Sequence, residues 1–260
     1  MFNYKNILVV VFDKNKSNKA LKEVQEILSE NNTEYKIYEE KNDANSYIGH
    51  DLVLVIGGDG SMLSAAKLFS HINCPFLGVN LGKVGFMADL DSENLATELP
   101  EVLSGNNLVE DKEAISCSYN GKKYTAFNEI VLHTQKSYKL MHFELKIEGN
   151  LIYRKRADGL IISTSNGSTA YSLSEGGPIL SPDVNGLVIT SLNPLSLSAR
   201  PLIVPSSAKI EVSLIKTPND LNSFIIIDGN QEIQIENNGK IFANSRNAAA
   251  GSIRQKDINI

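Results

Sequence analysis

The chain has 260 residues, with 25 Lys and Arg against 30 Asp and Glu and a formal net charge of −5. That length accommodates one large domain or two modest ones, and 42% hydrophobic residues supply a full core. A mildly acidic chain argues against sequence-independent nucleic-acid binding, which relies on a positive surface, and no run of roughly 18 apolar residues marks a membrane span. The two cysteines, Cys74 and Cys117, are far apart and form no C-x-x-C pattern. They argue against a disulfide framework and a zinc site, and fit thiols in a reducing cytoplasm. The apolar start, Ile7–Phe12, is too short for a secretory signal, so a cytoplasmic protein is expected.

Ile7–Phe12 reads as a buried strand. Ser17 is expected to cap a helix whose apolar positions are Ala20, Leu21, Val24, Ile27 and Leu28. Tyr35–Tyr38 is a short strand, and Asp51–Ile56 is the next buried one. Gly57-Gly58-Asp59-Gly60-Ser61 follows, and then a helix through Phe69. Pro75–Asn80 is another apolar run, and Glu93–Leu103 is a helix stopped by Gly105. Alternating strands and helices imply a parallel sheet with ligands at the carboxyl ends of its strands.

From Leu108 the helical periodicity disappears. Short β-rich runs follow at Ala114–Tyr119, Lys123–His133, His142–Glu148, Leu160–Thr164, Leu187–Ser191, Ile210–Leu214, Ser223–Asp228 and Glu232–Glu236. Asn120-Gly121, Glu148-Gly149, Asp158-Gly159, Asn185-Gly186 and Asp228-Gly229 punctuate them as turns. Ser165–Gly177 is the one stretch able to form a short helix. The expected fold is an N-terminal Rossmann-like parallel α/β domain over 1–107 and a C-terminal β-sandwich over 108–239. Residues 240–260 are expected to pack back on the first domain.

Gly57, Gly58 and Gly60 allow close backbone approach to a ligand, and the following helix adds a partial positive charge. Phosphate is the guest that fits. No Lys-Ser/Thr follows, so the loop is not a Walker A motif, and Leu63 stands where the dinucleotide fingerprint needs its third glycine. A plain tight turn with Asp59 near the helix start remains the alternative. Thr164-Ser165-Asn166-Gly167-Ser168-Thr169 is a hydroxyl-rich turn that offers oxygens and N–H groups to a nucleotide, or simply caps a helix. Asn128 and Glu129 sit in a β-run, where alternation would turn their side chains to opposite faces. Asp158-Gly159 and Asp228-Gly229 both read as hairpin turns, and a structural role is favoured for Asp228. The four histidines show no metal-binding spacing.

Gly57-Gly58-Asp59-Gly60 resembles the signature shared by NAD kinases, ATP-dependent 6-phosphofructokinases and the diacylglycerol and sphingosine type lipid kinases. The rest of the chain selects among them. Leu81–Asp89, Phe127-Asn128-Glu129, Asp158–Tyr171, Leu173–Pro178 and Ala199–Pro205 are similar to NAD kinases of the bacterial type, nearly throughout 51–228. That resemblance implies phosphorylation of the 2′-hydroxyl of the adenosine ribose of NAD by ATP, giving NADP. It implies Asp59 as the base or positioning group, Gly57, Gly58, Gly60 and Ser61 as the phosphate loop, and Mg²⁺ or another divalent metal as cofactor. It places NAD against Phe86, Asn128, Glu129, Arg156, Asp158, Ser165, Thr169, Ala170, Tyr171 and Ser174. The family has a similar Asp-Gly at 228–229, which leaves a supporting role open beside the structural one. It implies a homodimer or homotetramer, with polyphosphate as an alternative donor. Two departures stand out: Leu195 replaces a histidine usual in the family, and Asn166 stands where proline or threonine is usual. The rival readings are an NADP-binding regulatory protein without catalysis, a sugar-phosphate kinase, against which the scarcity of arginine in the second half counts, and a lipid kinase sharing the glycine loop. No basic amphipathic helix supports the last.

Overall fold

The structure is a computed structural model that describes residues 4–82, 90–105, 107–134, 140–196, 198–215, 222–236 and 239–255. The chain divides into two compact units, one of Met1–Lys112 with Ala249–Ile260 and one of Glu113–Ala248. The boundaries expected from sequence lie at 107/108 and 239/240.

In the first unit, β1 (Asn6–Val11) leads to α1 (Lys14–Glu30) and β2 (Glu34–Ile37). β3 (Leu52–Ile56), α2 (Asp59–Phe69), β4 (Phe76–Asn80), β5 (Leu90–Asp91) and α3 (Leu95–Leu103) follow. Strands β2, β1, β3 and β4 lie side by side in that order, all parallel. The order reverses between β1 and β3, and open α/β sheets bind ligands at the carboxyl ends beside such a reversal. Leu52–Ile56 are all buried, as a strand covered on both faces requires. Val9, Val24, Leu28, Leu54, Val79 and Leu99 belong to the apolar cluster that joins sheet and helices. The cap of α1 differs from expectation. Asp13, not Ser17, is the N-cap, and its carboxylate accepts from Asn15 N and Lys16 N at 3.1 and 3.2 Å. Ser17 lies a turn further on, buried on the same face as Ala20 and Val24.

The second unit opens with β6 (Asn107–Tyr119), whose residues from Glu113 onward belong to it, and β7 (Lys122–Ala126). Then come β8 (Glu129–Thr134), β9 (Met141–Ile147), β10 (Asn150–Ala157), β11 (Gly159–Ser163) and the single turn α4 (Tyr171–Ser174). β12 (Gly186–Leu192), β13 (Leu202–Pro205), β14 (Ile210–Leu214), β15 (Ser223–Ile227), β16 (Gln231–Ile235) and β17 (Lys240–Gln255) complete it. An antiparallel sheet runs β13-β12-β11-β8-β15-β16, and a second set runs β10-β9-β14-β17. Alternation sends Ile130, Leu132, Leu160, Ile162, Ile189 and Ile225 to one face of the six-stranded sheet. They join Phe143, Leu145, Val212 and Ile241 in one cluster, the apolar filling of a sandwich. Each such side chain contributes about 1.5–3 kcal/mol on burial.

Asn120 and Gly121, at φ 48° and 75°, close a two-residue hairpin with both residues left-handed. Asp228 and Gly229, at φ 45° and 68°, are also left-handed, in a three-residue loop completed by Asn230 between the paired Ile227 and Gln231. The expected strand over 123–133 is in fact two strands, broken at Phe127 and Asn128. Asp158-Gly159 is not a hairpin tip either, because β10 and β11 belong to different sheets. The last residues of β17 count with the first unit, where Ser252 pairs in parallel with Phe76 of β4.

Candidate functional site

The glycine loop of the first unit leaves the carboxyl end of β3. Gly57 N donates to Val79 O at 2.9 Å, which ties the loop's first residue to β4. Gly57 is buried at φ 156°, and a Cβ there would lie 2.6 Å from Ser61 Cβ. Ser61 N and Met62 N both donate to Gly58 O, so the turn closes directly into α2. The N-cap residue, Gly58, has no side chain with which to cap that helix. A Cβ at Gly58 or Gly60 would meet nothing within 4 Å. The loop is therefore held firmly at Gly57 and has open space at its tip. Asp59 stands in the first turn of α2, where the helix dipole favours a carboxylate, and is half-buried. At the end of β4, buried Asn80 accepts from Gly82 N at 3.2 Å. Phe86 lies outside the described residues.

In the second unit the candidate residues gather on the other face of the six-stranded sheet. Glu129 opens β8, and its register partner on β11 is Ser163. Val131, Ile161 and Leu192 form a small apolar patch on this face, and Glu129, Ser163 and Thr190 share it by alternation. Glu129, Ser163 and Thr190 are all buried, and Ser163 Oγ has no hydrogen-bond partner among the described residues.

The hydroxyl-rich turn lies over the edge of this face. Thr164 N donates to Asn128 O at 2.9 Å, and Thr164 Oγ1 donates to Phe127 O at 2.7 Å. The same Oγ1 accepts from Gly167 N at 3.1 Å. Asn166–Thr169 is a 3-10 turn, fixed by Ser168 Oγ donating to Ser165 O at 2.6 Å and accepting from Leu180 N at 3.0 Å. Ser165 Oγ donates to Pro182 O at 3.4 Å and Thr169 Oγ1 to Asn166 O at 3.2 Å, so both hydroxyls keep lone pairs for a ligand's donors. The buried hydroxyls of Ser172 and Thr190 lie 3.0 Å apart and anchor α4 to β12. Ala170 is half-buried, and Tyr171 and Ser174 are exposed. Burial pushes the Tyr171 phenol above its ordinary value, and the negative charges of Glu175 and Asp158 add to the shift.

Asp158 occupies the corner between β10 and β11. Its N–H donates to Leu192 O at 2.9 Å, and its carbonyl accepts from Thr134 N at 3.2 Å. Asn193 Nδ2 donates to Asp158 Oδ2 at 3.0 Å. Asp158 Oδ1 is buried and has no partner among the described residues, an arrangement that leaves an acceptor for an incoming donor. Arg156 is exposed on β10 and lines a cavity of about 370 Å³ with Arg154, Lys155, Leu195 and Ser196.

The second unit thus brings Asn128, Glu129, Ser165 and Thr169 into one bonded neighbourhood, and Tyr171 feels the charge of Asp158. Arg156 stands apart on the other sheet. Asn193 was not singled out from sequence, while Thr164 was read only as part of the hydroxyl-rich turn and Asp228 as a hairpin residue without partners for its carboxylate. Asn193 carried a signal, since an Asn-Pro pair marks a turn and asparagine tolerates the left-handed region, where it adopts φ 41°. Among the described residues, no three His, Cys, Asp or Glu side chains converge on a metal site.

Comparison with known proteins covers both units. Residues 4–107 match the family profile described as the ATP-NAD kinase N-terminal domain, and residues 127–250 match the ATP-NAD kinase C-terminal domain. An NAD kinase of Methanothermobacter thermautotrophicus is 37% identical over 204 residues, 78% of this chain and 71% of the relative. An NAD kinase of Erwinia tasmaniensis is 43% identical over 176 residues, 66% of this chain and 60% of the relative. Among solved structures, an NAD kinase from Archaeoglobus fulgidus in complex with ATP superposes with a TM-score of 0.79 at 25% identity, over 97% of this chain and 94% of that one. Yeast NADH kinase complexed with NADH gives a TM-score of 0.80 at 23% identity, over 96% and 83% of the two chains, a likeness of fold.

Proposed function

The chain belongs to the ATP-NAD kinase family, and from that premise we propose how it converts ATP and NAD to ADP and NADP. The observation that carries the proposal is the glycine loop. It sits at the carboxyl end of β3, beside the reversal of strand order, with Asp59 in the first turn of α2.

The loop receives the phosphates of ATP. Gly58 and Gly60 leave space for them, and the start of α2, whose N-cap is Gly58, contributes backbone N–H groups and its dipole. The divalent ion enters with ATP as part of that substrate, since Mg²⁺ is usually held by phosphate oxygens, water and one or two carboxylates. Asp59 takes the proton of the ribose 2′-hydroxyl. The 2′-oxygen bonds to the γ-phosphorus as the bond from that phosphorus to the bridging oxygen breaks, and ADP leaves. General-base help of this kind is typically worth about 10²–10⁴-fold, and positioning with charge neutralisation supplies the rest.

NAD is assigned to the second unit. Asn128 and Glu129 suit hydrogen bonds to the adenosine part, and Ser165 and Thr169 offer hydroxyl lone pairs. Tyr171 is exposed enough to stack on a ring. The unpartnered Oδ1 of Asp158 suits a donor such as the nicotinamide carboxamide. Ala170, Ser174 and Arg156 are assigned to the periphery of NAD, and Phe86 remains with them as an expectation from sequence. A homodimer or homotetramer is also inferred, because Leu173, Ile179, Val184 and Ile203 are exposed apolar side chains of the second unit that a second copy would cover. Light scattering measures that mass. Both cysteines are free and buried, which suits a cytoplasmic location, and no described helix is long and apolar enough to cross a membrane.

The test is a coupled assay of purified protein with Mg²⁺, NAD and either ATP or polyphosphate. NADP formed with ATP is the expected result. Absence of NADP with both donors would sink the catalytic reading and favour the NADP-binding regulatory one.

A further inference from the structure

Phe127, Asn128 and Glu129 lie where one long strand is expected and two are found. Their three successive N–H groups converge on one carboxylate. Phe127 N donates to Asp228 Oδ2 at 3.1 Å, and Asn128 N and Glu129 N donate to Asp228 Oδ1 at 2.8 and 3.1 Å. Asp228 N donates in return to Glu129 O at 3.0 Å. The partners are about a hundred residues apart in sequence, and Asp228 is only 9% exposed.

A tight hairpin turn needs an Asp-Gly pair only for its left-handed backbone, and such a turn needs nothing from the carboxylate. Here the carboxylate points inward and replaces the ladder bonds that a continuous strand would have made. Hydrogen bonds to a charged acceptor are the stronger kind. On the carbonyl side, Thr164 holds Phe127 O and Asn128 O. Gly167 is packed so closely that a Cβ would lie 2.5 Å from the Asn128 carbonyl carbon. The corner is gripped from both sides. Of Asp228, Thr164 and Gly167, Asp228 alone brings a charge.

We propose that Asp228 is a positioning residue for NAD recognition. It fixes the backbone of Asn128 and Glu129, and so the direction in which their side chains leave the chain, without itself touching substrate. The inference rests on the assignment of Asn128 and Glu129 to NAD. It separates the two substrates: disturbing Asp228 weakens recognition of NAD and leaves the ATP loop of the first unit alone.

The experiment compares Asp228→Asn and Asp228→Ala with the unaltered protein, measuring KM for NAD and for ATP. Amide hydrogen exchange at 127–129 is followed in parallel. Asparagine keeps one acceptor for Asn128 and Glu129 but presents a donor to Phe127 N–H. Its KM for NAD is expected to rise about threefold to tenfold, with faster exchange at 127–129 and KM for ATP within about twofold. Alanine removes all three bonds, and a rise of tenfold or more is expected. Should the alanine variant not fold, the near-isosteric asparagine variant decides. An unchanged KM for NAD in Asp228→Asn, or an equal rise in both KM values, overturns the proposal. Failure of the unaltered protein to make NADP would instead overturn the functional reading on which it rests.

Discussion

A Cβ added at Gly58 or Gly60 would meet nothing within 4 Å, whereas one added at Gly167 would lie 2.7 Å from Asn128 Cα. Both regions are rich in glycine, and both are candidate nucleotide sites. Within the glycine loop of the first unit, Gly57 is the glycine that packing requires, while Gly58 and Gly60 face open space. In the second, Gly159, Gly167 and Gly177 are each wedged against neighbouring backbone or side chains. On the proposed reading, one region keeps room and backbone dipoles for a mobile polyanion, and the other immobilises its own backbone so that side chains meet a larger molecule in fixed directions. A glycine in a sequence does not reveal which of these it serves, since the answer depends on what stands across from it.

Substitutions in the two regions should fail in different ways. The largest effect is expected for Asp59→Asn, with kcat lowered about 10²–10⁴-fold. NAD should still bind by calorimetry, and the melting temperature should hold. Retained turnover would remove Asp59 from the base role. Next is Gly167→Ala, which forces a methyl into the Asn128 backbone. Overpacking of that kind costs about 1–3 kcal/mol, so the melting temperature should fall by several degrees. An unchanged melting curve would show that the corner is loose, and the contrast between regions would collapse. Gly60→Ala should behave in the opposite sense. Alanine suits a helix better than glycine by roughly 0.5–1 kcal/mol, so stability should hold or rise slightly while KM for ATP climbs about tenfold. A KM for ATP equal to that of the unaltered protein would mean that phosphates do not approach this backbone.

The smallest effect concerns the thiols. Burial pushes Cys74 up to about 11, with the Asp51 charge adding to it, and Cys117 to about 12. Both exceed the ordinary 9.0, so the folded state holds these protons more tightly than the unfolded chain. That contribution to stability is complete below pH 9 and is lost as pH rises toward 11 and 12. Alkylation at pH 8 should be slow in the folded protein and fast in denaturant. Rapid labelling of one cysteine alone would identify its unit as the looser.

The parts most legible in sequence were those made by neighbouring residues. The buried runs that became β1, β3 and β4 announce themselves because strands covered on both faces are continuously apolar, and the glycine loop follows one of them directly. The cap of α1 was displaced because Ser17 is a plausible cap by type. Only the structure shows it inside the helix and buried, with Asp13 bonded to Asn15 and Lys16. β10 and β13 were missed because their burial is partial, and β17 because Asn, Ala and Gly are poor strand formers. The break at Phe127 and Asn128 could not be read locally at all. It is made by Thr164 and Asp228, 36 and about 100 residues away. The Asp-Gly pair at 228 was correctly a hairpin tip, but its carboxylate has a second partner that no turn rule contains.

The path of β17 has a consequence for synthesis. Residues 1–112 of the first unit leave the ribosome early, yet the segment that pairs with β4 at Ser252 comes after the entire second unit. Domains generally fold in the order in which they emerge. Here the unit that begins first is finished last. A nascent chain stopped near 248 would carry every residue assigned to the glycine loop and to NAD, but the parallel sheet would wait with part of β4 uncovered. Unpaired strand edges of that kind are open to wrong partners, so the second half must be translated before the first is safe.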